Sequence, residues 1–193
     1  MILKNVQQAK RLEQVNAGAF VVLYHALRVP PHILLCFDGR LYSLSIAGKF
    51  PKQSLEALWR NAKIKNIPLV FFEWKLPTSI ENAEDLASDI LNKYNRVIPY
   101  ETTCLDPIRE TIDTLHNDDQ IRKAPFIFTM LNHMIRSGTV GNVLELNCSG
   151  NRGSLRLPEY QADDVANAAL KAIEAFKQRE KSVVCTDFSN FRQ

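Results

Sequence analysis

His32 and Cys104 are the residues of this chain whose types and settings could do covalent chemistry. An imidazole accepts and returns protons near neutrality, and a thiolate attacks carbonyl carbon. Cys104 stands just before Leu105-Asp106-Pro107-Ile108, which reads as the opening turn of a helix. Unpaired N–H groups and the positive end of the helix dipole favour thiolate there, and could cradle an oxyanion. His32 opens the run Ile33-Leu34-Leu35-Cys36-Phe37, which ends at Asp38-Gly39 before a second run from Arg40. Asp-Gly between apolar runs predicts a two-residue hairpin turn, because a type I′ turn needs positive φ at both central positions. Phe37 then pairs with Arg40, Leu34 with Ser43, and His32 with Ser45. Alternation puts His32, Leu34 and Cys36 on one face with Leu41, Ser43 and Ser45. A hydroxyl, Ser43 first and Ser45 second, is expected to hold the ring. The bland readings are a structural histidine at a strand edge and a buried, apolar thiol.

The elements that must position these groups follow from periodicity. Val6, Ala9, Leu12 and Val15 recur at helical spacing and predict an amphipathic helix over 3–16, ended by Asn16-Ala17-Gly18. Residues 19–28 form an apolar run of ambiguous type. Ser54 is a candidate N-cap for a helix to Asn66, and 67–74 is a β-rich run. Helical stripes cover 80–95, the segment after Cys104, 124–137 and 162–179. Residues 143–147 and 154–157 flank Gly150-Asn151-Arg152-Gly153 and are expected to form another hairpin. Glu84-Asp85 and Asp163-Asp164 are taken as helix starts that complement the dipole. No repeat or linker divides the chain, so 1–193 reads as one α+β domain with a helical C-terminal half.

Composition narrows the classes without choosing a function. The chain has 193 residues, 46% hydrophobic and 23% charged, which excludes wholesale disorder. A net charge of +3 is too small to imply nucleic acid. The longest apolar stretch, 17–27, is far short of the roughly 18–20 residues a membrane span needs. No secretory signal is read at the N-terminus, and the four cysteines show no C-x-x-C pair, so reduced thiols and a cytoplasmic location are expected. Cys36 reads as core, Cys148 as part of a turn, and Cys185 as tail. His25, His32, His116 and His133 lack ligand spacing, so no metal and no cofactor is expected.

The segment from His32 through Asp38-Gly39 to Leu44, followed by Cys104 at a helix head, resembles the circularly permuted NlpC-type papain-like superfamily. That group includes lecithin–retinol acyltransferase-like and YiiX-like proteins. The resemblance covers about residues 20–115. Ser43 stands where the family carries a polar orienting residue, and Thr103 rather than Asn precedes Cys104. The resemblance implies a permuted papain-like antiparallel sheet with flanking helices, a core over about 17–117, and a helical and hairpin part over 118–193. It implies a cysteine amidase, peptidase or acyltransferase. Cys104 would form the acyl-enzyme, His32 would move the proton, and Ser43 would orient the ring. The substrate would be a peptide, a cell-wall fragment or an acyl ester. The alternative is a non-catalytic module that binds a ligand or partner, with residues 120–180 as its platform.

Overall fold

Alternating short runs become strands and the 3.6-residue stripes become helices. In chain order the elements are β1 (Ile2–Gln8), α1 (Glu13–Asn16), β2 (Ala19–Tyr24), β3 (His32–Phe37) and β4 (Arg40–Ser45). Then come β5 (Gly48–Ser54), α2 (Leu55–Lys65), β6 (Leu69–Trp74), α3 (Ile80–Asn92) and α4 (Asp106–His116). The chain continues with α5 (Asp119–Arg122), α6 (Ile127–Arg136), β7 (Val140–Leu146), β8 (Gly153–Arg156) and α7 (Ala162–Ser189). The computed structural model describes residues 1–148 and 153–189, with the side chains of α7 described through Gln178.

The strands form one sheet in the order β5-β4-β3-β2-β6-β7-β1-β8. Asp38 and Gly39 both take positive φ, 43° and 74°, and Phe37 lies opposite Arg40, so the hairpin forms in the expected register. The ambiguous run after Gly18 is β2, central in the sheet and paired with β3 and β6. Ser54 caps α2 by accepting from the Ala57 N–H, and Asn66 ends it in the left-handed region. Ser79 caps α3 in the same way through Asn82. Each cap satisfies a donor that the first turn would otherwise leave unpaired.

Four expectations are corrected. Residues 3–16 are not a helix: β1 pairs with both β7 and β8, and only α1 is helical. Of the helical stripe, Ala9, Leu12 and Val15 still pack inward, from a loop and a single turn. Residues 143–147 and 154–157 do not form a hairpin, because β1 lies between β7 and β8. Of the turn expected at Gly150-Asn151-Arg152-Gly153, residues 150–152 lie outside the described residues, and Gly153 opens β8. The sheet is mixed, not antiparallel, since β1 runs parallel to β7. Glu84-Asp85 is not a helix start but the middle of α3, and Glu84 is buried.

The sheet separates two cores. On one face α3, α4 and α6 cover Val21, Leu23, Ile33, Leu35, Phe37 and Phe72. On the other, α2 and the α1 segment cover Phe20, Val22, Leu34, Cys36 and Phe71. Complete burial of such side chains contributes about 1.5–3 kcal/mol each. The architecture is therefore α+β, an open eight-stranded mixed sheet with helices on both faces.

Candidate functional site

Cys104 sits two residues before α4, in a turn closed by Asp106. The Asp106 carboxylate accepts from the Thr103 N–H (2.6 Å) and hydroxyl (3.0 Å), and pairs with Arg109 at 2.5 Å. That carboxylate is thus committed to building the helix head. Cys104 is half-buried and packs with the α3–α4 core. Burial pushes its thiol up from the ordinary range. The backbone N–H groups of Ile33 and of Cys104 itself oppose that shift, and the nearby Asp106 charge adds to it. Tyr160 lies close to the same sulfur, in a pocket against Phe126 and Phe128 at centroid distances of 5.5 and 5.3 Å.

The structure brings Cys104 to the strand that carries His32, because Ile33 is the next residue. The pleat decides which side. Ile33, Leu35 and Phe37 face the core in which Cys104 packs, whereas Leu34 and Cys36 face the other. By the same alternation His32 belongs with Leu34, opposite Tyr24, which also packs in the second core. Ser43 is buried, follows the β4–β5 register shift, and borders a small space with Leu35, Ala87 and Ile108 of the first core. The β3–β4 pairing runs from Phe37–Arg40 to Leu35–Tyr42 and does not extend to His32, and among the described residues no hydrogen bond joins His32 to Ser43 or Ser45, while the thiol approaches from across the sheet. Burial pushes the His32 imidazole down to about 4, with the His25 charge adding to the shift, so the ring is neutral at pH 7. A neutral imidazole and an un-ionised thiol on opposite faces form no ion pair.

Cys36 is fully buried and pushed up to about 12 by burial, opposed by the Gly39 N–H. Cys148 is pushed up to about 12, again by burial first and then by the Glu145 carboxylate. Both are inert as nucleophiles at neutral pH.

The burial of Glu84 escaped the sequence reading. Its carboxylate accepts from the Tyr42 hydroxyl and from Arg40 at 2.6 Å, which ties α3 to β4. A signal was present: Ile80, Ala83, Glu84, Ala87 and Leu91 lie on one helical stripe, and a carboxylate on that stripe needs buried partners. Tyr160 carried no such signal, lying between the last strand and the last helix. A third polar cluster joins Trp74, whose Nε1–H donates to His116 Nε2 at 2.9 Å, with Asp118, which bonds His133 at 2.6 Å. Among the described residues no group of three or more His, Cys, Asp or Glu side chains is arranged to hold a metal ion. No helix among them is long and apolar enough to cross a membrane.

A further groove lies elsewhere. Helix α7 and the turns before β3 and after β4 enclose about 670 Å³, lined by Arg28, Val29, Ile46, Asp164, Lys171 and Phe176 among others. Comparison with protein-family models, with curated proteins and with solved structures found no match to this chain.

Proposed function

We propose that the chain is a non-catalytic binding module whose α7 groove takes a segment of a protein partner. One observation carries this reading. Among the described side chains of α7 only Ala166 and Ala169 are buried, while Leu170 and Phe176 stay 42% and 40% exposed. An amphipathic helix gains its stability in water chiefly by covering its apolar face, and over its described side chains this one covers only part of it. The volume of the groove falls in the range of ligand sites, roughly 300–1,000 Å³. Arg28 and Lys171 outnumber Asp164 on its walls, so the fitting segment presents an apolar side chain beside a carboxylate. The test places a photo-crosslinking amino acid at Phe176 in the organism of origin. A discrete crosslinked protein, lost when Arg28 and Lys171 are both changed to Glu, is expected. The absence of any crosslink to protein refutes the reading.

A cysteine hydrolase of the papain-like kind is the second reading. What favours it is the pair of backbone N–H groups, from Ile33 and Cys104, directed at the sulfur, the kind of donors an oxyanion needs. It requires the His32 ring to reach the thiol around the end of β3. Alkylation separates the two readings. Selective labelling of Cys104 well below a pH of about 8.5 supports the hydrolase, and uniformly slow labelling of all four thiols removes it.

A further inference from the structure

The sheet carries a fork. β1 and β7 run in parallel and meet at Gln7–Leu144 and Gln8–Glu145. Before that point residues 2–6 of β1 pair only with β8, and residues 140–143 of β7 only with β6. Among the described residues each wall therefore has a hydrogen-bonded neighbour strand on one side and none on the side facing the fork. Irregularities in both walls open it. Asn5 takes φ 58° where the β1–β8 register shifts between Lys4 and Val6. The β6–β7 register shifts between Phe72 and Trp74, where the Glu73 carboxylate accepts from the Asn142 N–H at 2.8 Å. Bulges bend strands and re-aim their edges, and here one lies in each wall. The space between holds about 510 Å³ and is floored by Asn132 and Ile135 of α6.

The unpaired edges select the occupant. An extended segment can pair through its backbone with an exposed strand edge, which a helix cannot do because its N–H and C=O groups bond within it. Ile135 on the floor is 38% exposed and Ile2 on the rim 65%, so one inward side chain of the guest is apolar. Lys4 lines the β1 wall while the Glu73 carboxylate is bonded at Asn142 in the β7 wall, so an acidic guest residue is favoured on the β1 side.

We infer that the β1–β7 fork is a strand-insertion site for a short, extended, acidic segment of another polypeptide. It is separate from the α7 groove and stands whether or not that groove binds a partner. The test selects phage-displayed random pentapeptides on the full chain. Enriched peptides are then synthesised, each with a copy N-methylated at alternate amides. Peptides rich in β-branched residues with an Asp or Glu are expected to enrich. The expected binding protects amides within residues 2–5 and 140–143 from exchange, and weakens at least tenfold on N-methylation. Ile135→Glu, a change at an exposed position, is expected to weaken it by a similar factor with unchanged melting temperature. No enrichment, equal binding of the N-methylated copies, or protection confined to other amides would overturn the inference.

Discussion

Acidification should act on this fold through His116. Its Nε2 accepts from the Trp74 indole N–H at 2.9 Å, so the ring is neutral with that nitrogen bare. Trp74 is only 3% exposed, and water does not replace the lost acceptor when the ring protonates. Leaving a buried donor unpaired costs about 1–3 kcal/mol. Burial lowers the His116 pKa below its ordinary value, and the Asp118 carboxylate, itself bonded to His133, opposes the shift. The sign follows from linkage. The unfolded chain takes up the proton near its usual pKa of about 6.5, and the folded chain does so only at lower pH. Stability from this site is thus complete above about 6.5, declines as pH falls below it, and levels off beneath the folded pKa. His25 and His32 are also lowered and add to the same trend, so the measurement must be a difference. His116→Gln keeps an acceptor but does not titrate. Urea unfolding is followed by tryptophan emission at pH 7.5 and at successive steps to pH 5. Over that range the wild type should lose more stability than the His116→Gln protein does, by about 1 kcal/mol at the least. Equal losses in the two proteins would refute the reasoning.

Tyr42→Phe removes one of the two partners of the buried Glu84 carboxylate and is expected to cost about 1.5–3 kcal/mol in chemical denaturation, with Glu84→Gln milder. Gly39→Ala places a Cβ 2.5 Å from Asn16 Oδ1 at φ +74°, and should cost about 1–2 kcal/mol. Adding Asn16→Ala should recover only the steric share, which double-mutant melting curves would show. The His32 ring should titrate with a midpoint near 4 in a proton NMR pH series, whereas a midpoint near 6.5 would place the ring in water.

Much of the local structure was legible in the residues. Asp38-Gly39 specified a hairpin because few other dipeptides tolerate two positive φ values, and the register followed. Ser54 marked a helix start because its hydroxyl satisfies a first-turn donor. The stripe after Cys104 became α4 because Asp106-Pro107 suits a first turn and the apolar spacing suits the sheet face it covers. These are interactions among near neighbours, and the order of residues contains them.

What only the tertiary structure decided depends on residues far apart in the chain. The segment over residues 2–8 is a strand because β7 and β8 offer it hydrogen-bonding partners more than 130 positions away, and that overrides a helical spacing. Residues 143–147 and 154–157 look like hairpin arms, yet β1 lies between β7 and β8. Glu84 is tolerated among apolar neighbours because β4 brings Arg40 and Tyr42 to it. The relation of Cys104 to His32 is the sharpest case. Sequence order put a thiol at a helix head and an imidazole on a strand, and the chain does bring α4 against β3. Side chains alternate across a sheet, so a helix that docks on one face meets Ile33 and not the residue before it. Which face a helix covers is set by the whole core, and no local pattern around Cys104 carries that information.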